Sequence, residues 1–326
     1  MEATLREIAA RVMTARGIAH KMDIAGVVDA LGAGQATIRL GDDCAAIPDG
    51  DGYLLFAIEG FVNDFVEIDP RFAGYCGVMV NVSDIAAMGG RPIAVVDAIW
   101  ANNGLSADPI LAGLRDASSI YGVPIVGGHT NIRADRGQLA VAVLGRAKRL
   151  ITSFDAKDGD VLVAAIDLRG RFREPHPYWD AATGAPAARL RGDLDILPDL
   201  AEHGLVTAGK DISMAGLVGT SMMLLESSNR GAFLDIDAVP CPPGIELDRF
   251  LLAFPSFGFV LTARPDNVGA VVAKFAARGI AAAAIGKVNS SRKVRLWRDN
   301  DEVEIWDFEQ PFIGSAPRVE ARVEDT

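Results

Sequence analysis

The residues placed to do chemistry are carboxylates. Asp42 and Asp43 follow Gly41 at a tight turn, and Glu59 ends the apolar run Ala57-Ile58-Glu59-Gly60. Asp84 lies inside the nearly uncharged segment 78–88, where Val80, Asn81, Ala87 and Met88 share its helical face. Its carboxylate is therefore expected to be at least partly buried. A lone buried carboxylate is costly unless it is paired or coordinates a metal. No run of Lys or Arg stands near Asp84 in sequence to pair with it. Acidic groups gathered from element ends would also repel one another without cations between them. Magnesium, which binds through a few carboxylates plus substrate phosphates, resolves both difficulties. Each residue has a plainer reading too. Asp42 and Asp43 can shape a Gly-Asp turn, Asp84 can bond a backbone amide or a serine, and Glu59 can be a strand-end surface residue.

A second group is basic. Arg169, Arg171, Arg173, Arg189 and Arg191 surround Phe172, His176, Tyr178 and Trp179 in a stretch, 169–198, that reads as irregular. One reading makes it a mobile lid in which Arg171 and Arg173 hold a small anionic substrate through bidentate contacts. The other makes it a solvated loop whose arginines pair with nearby Asp and Glu. Met79, Met88, Met222 and Met223 read as core packing. There is no GxxxxGK(S/T) loop, no GxGxxG after Gly32-Ala33-Gly34 and no GxSxG elbow, and the 4 histidines lack metal-ligand spacing.

The chain of 326 residues is long enough for two domains, each with its own core. Its net charge of −11 argues against a broad nucleic-acid surface, which needs clustered Lys and Arg. A polyphosphate remains within reach if metal ions stand between carboxylates and phosphate oxygens. No apolar run approaches the roughly 18 residues of a membrane span. The first twenty residues, with Glu2, Arg6, Glu7 and Arg11, read as an amphipathic helix and not a signal peptide. Cys44, Cys76 and Cys241 are far apart and form no CxxC pair, which fits a reducing compartment and a cytoplasmic protein.

The elements that position these residues follow from periodicity and breakers. Helical patterns cover 2–16 and 22–31, and the glycine-containing stretch 31–34 leads through 37–41 to the acidic turn. Strands are expected at 53–59, 93–100, 124–126 and 139–147, with helices at 72–88 and 108–121 between them. This order predicts an α/β fold (α+β in its layering), with a mixed sheet carrying helices on one face. A second unit starts near 151, with strands at 161–166, 232–236, 257–263, 281–285 and 294–297. Its helices fall at 215–226 and 267–277, and a small-residue turn is expected at 209–213. The domain reading is 1–150, 151–314 and a charged tail at 315–326.

Four segments then carry a resemblance. Gly41-Asp42-Asp43-Cys44-Ala45-Ala46-Ile47 resembles the GDDxAxx segment near the start of thiamine-monophosphate kinase. Asn81-Val82-Ser83-Asp84-Ile85-Ala86-Ala87-Met88-Gly89-Gly90-Arg91-Pro92 is similar to the NxSDxxAMGxxP helix of that kinase and of selenophosphate synthetase. Gly127-Gly128-His129-Thr130 is similar to the family's GGDT, GGET or GGHS turn. Lys210-Asp211-Ile212-Ser213-Met214-Ala215-Gly216-Leu217 resembles its DxTGxGL element. The four occur in family order, so the chain resembles the superfamily of AIR synthase, thiamine-monophosphate kinase and selenophosphate synthetase.

The resemblance implies a PurM-like fold of two α/β domains, ATP and Mg2+ in a cleft, and a homodimer whose N-terminal sheets form a barrel. It implies catalytic roles for Asp43, Asp84 and Asp211 and metal ligation by Asp43, Glu59, Asp84 and Asp211. It implies nucleotide contacts from Asp42, Gly127, Gly128, His129, Thr130 and Ser213. This sequence departs from the family at several places. His129 stands where the kinase has an aspartate, either as a turn residue or as a hydrogen-bond donor facing phosphate. Met214-Ala215 replace a second acidic residue, and no histidine occurs in 60–68. No cysteine precedes Cys44, Lys21 is the nearest match to the lysine of selenophosphate synthetase, and the chain ends Val323-Glu324-Asp325-Thr326. The resulting expectation is an ATP- and magnesium-dependent phosphotransferase or synthetase, most like thiamine-monophosphate kinase, acting on a small anionic metabolite. The alternatives are a non-catalytic nucleotide-binding regulator or scaffold, or a selenophosphate synthetase-like enzyme.

Overall fold

Residues 70–87 form a helix because both of its ends are written into the chain. Asp69 accepts a hydrogen bond from Phe72 N at 3.2 Å and Pro70 occupies the first turn. Gly89, at φ +74°, stops the helix in the left-handed region. The computed structural model describes residues 3–31 and 38–316, so the expectations at 32–37 and most of the tail lie outside the described residues. Its first half contains α1 (Leu5–Met13), α2 (Arg16–Met22), α3 (Ile24–Leu31), β1 (Ala45–Asp49), β2 (Gly52–Gly60) and α4 (Asn63–Ile68). Next come α5 (Pro70–Ala87), β3 (Arg91–Trp100), α6 (Gly104–Tyr121), β4 (Ile125–Asn131) and β5 (Gln138–Ala147).

The first five strands make one mixed sheet, ordered β1-β2-β5-β3-β4, in which only β3 and β4 run parallel. Helices α5 and α6 cover one face, where Leu55, Val95, Ile99, Val141 and Val143 point inward. The two helices pack closely at glycines: a Cβ on Gly113 would lie 1.9 Å from the Arg71 carbonyl oxygen, and one on Gly74 would lie 2.1 Å from that of Ile110. The opposite face is apolar and, among the described residues, bare. Ile58 is 67% exposed and Phe56 50%, and Val96 and Leu144 stand beside them.

The second half contains β6 (Val161–Ile166), β7 (Arg171–Phe172), β8 (Tyr178–Asp180), α7 (Ala187–Leu194), α8 (Ile196–Glu202), β9 (Ala208–Asp211) and α9 (Gly216–Ser227). It continues with β10 (Gly231–Asp235), α10 (Leu247–Phe250), β11 (Phe254–Pro255), β12 (Gly258–Ala263) and α11 (Pro265–Ala276). Three strands close it: β13 (Ala281–Asn289), β14 (Lys293–Arg298) and β15 (Asp301–Asp307). Seven strands form a sheet ordered β15-β14-β10-β13-β6-β12-β9, and β11-β8-β7 form a small separate one. Strand β6 shows why its sequence reads as continuously apolar. Leu162, Ala164 and Ile166 face the core beneath α9, while Val163 and Ala165 face the core beneath α8 and α11.

Three expectations change. The stretch 169–198 is not irregular but holds β7, β8, α7 and α8. Its elements are short and are fixed by ion pairs and by Trp179, whose Nε1 donates to the Asp167 carbonyl at 2.9 Å, so periodicity gave no sign of them. The turn expected at 209–213 begins as β9, an edge strand paired with β12. The unit expected over 1–150 is also split in space. Leu5, Ile8, Val12 and Ile18 pack into the core of the seven-stranded sheet, because the apolar stripe of α1 finds its cover there.

Candidate active site

Four separate elements deliver carboxylates to one place. Asp43 comes from the loop before β1, Asp84 from the last turn of α5, and Asp211 from the end of β9. One carboxylate oxygen from each lies within 4.8 Å of the other two. Asp84 is 4% exposed and Asp211 5%. Glu59, at the end of β2, faces the same cavity of about 270 Å³ without joining the trio. The cavity lies where α5 and the first sheet meet β9 and the small β11-β8-β7 sheet.

A cation is already part of the cluster. Lys210 Nζ donates to Asp43 Oδ1, with both side chains almost wholly buried. Burial alone would lower the lysine's proton affinity, but Asp43 and Asp42 outweigh it and hold the ammonium charged. One lysine does not neutralise the site. Burial and then Asp43 push the Asp211 carboxyl up to about 8, and burial with Asp211, Glu59 and Asp43 holds Asp84 well above the carboxylate range. Burial also raises Glu59, against the pull of Lys21. Asp43 Oδ2, Asp84 Oδ2 and Ser213 Oγ are buried without a hydrogen-bond partner. Orphaned, mutually repelling carboxylate oxygens are the donor set of a hard divalent cation, so these residues fit the magnesium that the sequence suggests.

Asp42 has a different task. Its Oδ2 accepts from Ser153 N at 2.9 Å and its Oδ1 from Ser153 Oγ at 2.6 Å. It ties the acidic loop to the start of the second half, and burial raises its carboxyl to about 6 despite Lys210. Asp42 also lines the cavity.

The remaining sequence candidates divide. Ser213 lines the cavity, ahead of α9. Gly127, Gly128, His129 and Thr130 do not; they lie on β4, an exposed edge strand of the first sheet, with His129 beside Trp100. Arg171 is exposed on β7 and Arg173 is spent elsewhere. The Arg173 guanidinium lies 3.9 Å above the Phe72 ring and pairs with Asp69 at 3.0 Å and Asp180 at 3.3 Å. Arg169 and Arg189 pair with Asp167, and Arg191 caps the carbonyls of Ile120 and Ser119 at the end of α6. Arg169, Arg173, Arg189 and Arg191 are engaged within the fold, and among the described residues no arginine lines the cavity. Sequence reasoning missed Lys210 as the internal cation, although it opens the quoted segment 210–217. It also missed the aromatic wall of Phe61, Phe65, Phe72, Tyr178 and Phe254.

Two helix-covered mixed sheets meeting at a buried carboxylate cluster define a two-unit α/β protein. The chain belongs to the AIR synthase related protein family, matching the family's N-terminal domain over 41–147 and its C-terminal domain over 185–299. An uncharacterized protein of Synechocystis sp. is 50% identical over 305 residues, covering 91% of this chain and 94% of that one. A thiamine-monophosphate kinase of Pyrococcus abyssi is 37% identical over 137 residues, 40% of this chain and 43% of that one. Among solved structures, AaThiL complexed with AMPPCP and TMP superposes with a TM-score of 0.65 at 18% identity, over 85% of this chain and 94% of that one. T. maritima PurL complexed with ATP gives 0.71 at 22% identity over 84% of this chain. This chain spans about half of that PurL, 46% of its length. These likenesses establish the PurM-like fold. No helix among the described residues is long and apolar enough to cross a membrane.

Proposed function

We propose that this chain is an ATP-using, magnesium-dependent phosphotransferase or synthetase. The observation that carries the proposal is the cluster of Asp43, Asp84 and Asp211, with buried oxygens of Asp43 and Asp84 left unpartnered. PurL seen with ATP and ThiL seen with AMPPCP, on the same fold, support ATP as the phosphoryl donor.

Asp43, Asp84 and Asp211 would hold the ion, with Glu59 adding negative charge behind them. When bound, magnesium would supply the positive charge that offsets the carboxylates and the negative charge of the transferred group. Lys210 holds Asp43 in place, and the free Ser213 hydroxyl offers a donor to a phosphate oxygen. In the transfer, an acceptor oxygen forms a bond to the terminal phosphorus while the bond to the bridging oxygen breaks. ADP leaves with the electron pair, and the acceptor's proton passes to water. Positioning and charge stabilisation carry most of the catalysis in such a step.

The same reading assigns residues 1–150 and 151–314 to the two family domains, with the N-terminal helices packed across onto the second. It also makes the protein a homodimer through the bare face of the first sheet, since an apolar sheet face of that kind calls for cover. Three free cysteines accord with a cytoplasmic setting.

Calorimetry with ATP in magnesium and in EDTA, alongside ADP release with a metabolite pool, tests the proposal. Magnesium-dependent binding with ADP release is expected. Equal affinity in both buffers removes the metal from the site. Binding with no turnover in any fraction makes the chain a nucleotide-responsive regulator instead.

A further inference from the structure

The cavity has two ends, and helix α5 runs between them. Phe72, Cys76, Met79, Val80 and Asp84 all line it, at the helical spacing that puts them on one stripe. From Phe72 to Asp84 the stripe is about 18 Å long at the α-helical rise. Carboxylates occupy the Asp84 end and aromatic rings occupy the other. Phe65 is the hub of the rings, with centroids 5.0 Å from Tyr178, 5.9 Å from Phe72 and 6.3 Å from Phe61. Tyr178 in turn lies 5.9 Å from Phe254, edge to face. Phe65 and Phe72 are 3% exposed and form the back wall, whereas Phe61 and Phe254 are half-buried and border the open space.

Charge at this cavity has one dominant sign. Six acidic side chains line it against two lysines, Lys21 and Lys210, and Lys210 is committed to Asp43. Among the described residues no arginine lines it. Arg173, behind the rings, faces Phe72 and is held by Asp69 and Asp180. An anionic group lodged among the rings would meet Arg173 already held by two aspartates and Arg16 acting on Tyr178 from an exposed position, so its desolvation would be poorly compensated. A ring without negative charge loses nothing by entering, and a cationic one gains from the aromatic faces.

We propose that the aromatic end of this cavity seats an uncharged or cationic ring compound, with an arm that runs along Cys76, Met79 and Val80 and presents its oxygen near Asp84. This replaces the small anionic metabolite expected from the arginine-rich stretch. It rests on the phosphotransfer reading only in calling the occupant the acceptor.

Ligand-detected NMR on the full chain tests it, with benzyl alcohol, benzyltrimethylammonium, benzyl phosphate and glycerol phosphate as probes in metal-free, nucleotide-free buffer. The two ring compounds without negative charge should bind, the two phosphates should bind far more weakly, and methyl-labelled methionine should show Met79 shifting with the ring probes. Phe254→Leu and Phe61→Leu should each weaken benzyl alcohol binding about tenfold through the lost ring contacts. Phosphate probes that bind as tightly as benzyl alcohol overturn the proposal. So does an unmoved Met79 methyl, a readout that stands even if a variant fails to fold. Addition of magnesium with AMPPCP should leave probe binding intact. Displacement would make the rings the seat of the nucleotide base and overturn the acceptor assignment. Probe binding without any binding of magnesium–ATP supports the ring site and removes the phosphotransfer reading, so the two failures are distinguishable.

Discussion

Lys210 reaches Asp43 across 167 positions of sequence, and their ion pair joins the two halves of the chain at the carboxylate cluster. The pair is buried, so each partner depends on the other to offset its lost hydration.

Lys210→Met should therefore destabilise the metal-free protein by about 3–5 kcal/mol, the cost of leaving a buried charge unpaired. The double variant Lys210→Met/Asp43→Asn should recover much of that loss. Urea denaturation in EDTA measures both. Magnesium should stabilise Lys210→Met more than the parent, because the single variant has more negative charge to neutralise.

The raised carboxyls set the pH dependence of the metal-free protein. Asp211, lifted to about 8 by burial and Asp43, and Asp42, lifted to about 6 chiefly by burial, bind protons in the folded state that they release when unfolded. Stability therefore falls as pH rises from the ordinary 3.8 towards about 8, and the fall is complete above the folded values. Melting temperatures across that range in EDTA should decline, and magnesium should flatten the decline. Asp84→Asn should hold or raise apo stability while lowering turnover by orders of magnitude, since it removes a repelling charge and a ligand together. A lowered apo melting point with intact turnover would make Asp84 a structural hydrogen-bond acceptor.

Glu226, 1% exposed on α9, straps the end of the described chain. Its carboxylate accepts from Phe312 N at 2.7 Å, Ile313 N at 2.8 Å and Gly314 N at 3.3 Å. Glu226→Ala should cost about 2–4 kcal/mol, because several buried donors lose their acceptor at once. Ile313 and Ser315 line the cavity, so ligand affinity should fall along with stability in paired melting and calorimetry experiments. Glu226→Gln should be milder in both.

Ile58→Arg probes the bare sheet face. Placing a charge on that apolar surface should convert a dimer into a folded monomer in light scattering, with little change in secondary structure. A parent chain that is monomeric at all concentrations would rule out the dimer.

The helix bearing Asp84 was legible because its caps and apolar composition are local, and local signals survive in a linear text. So was the burial of Asp84, which follows from its neighbours on one helical face. Glu59 was legible as a strand end and the resemblance put it with the metal ligands, but its separation from the trio was not legible. That depends on where β2 stops relative to β9, which belongs to the other sheet.

The sequence by itself determined the alternation of elements, the acidic turn at Asp42-Asp43 and the four segments that carry the family likeness. Only the tertiary structure decided which carboxylates meet, which of them Lys210 neutralises, and that Arg173 serves Asp69, Asp180 and Phe72 instead of a ligand. The physical reason is range. Caps, turns and helical faces are set by residues within a few positions of one another, whereas an ion pair or a cavity wall is set by separate elements packed against each other. The charge of an arginine is written in the sequence, but the partner that consumes that charge is found only in the fold.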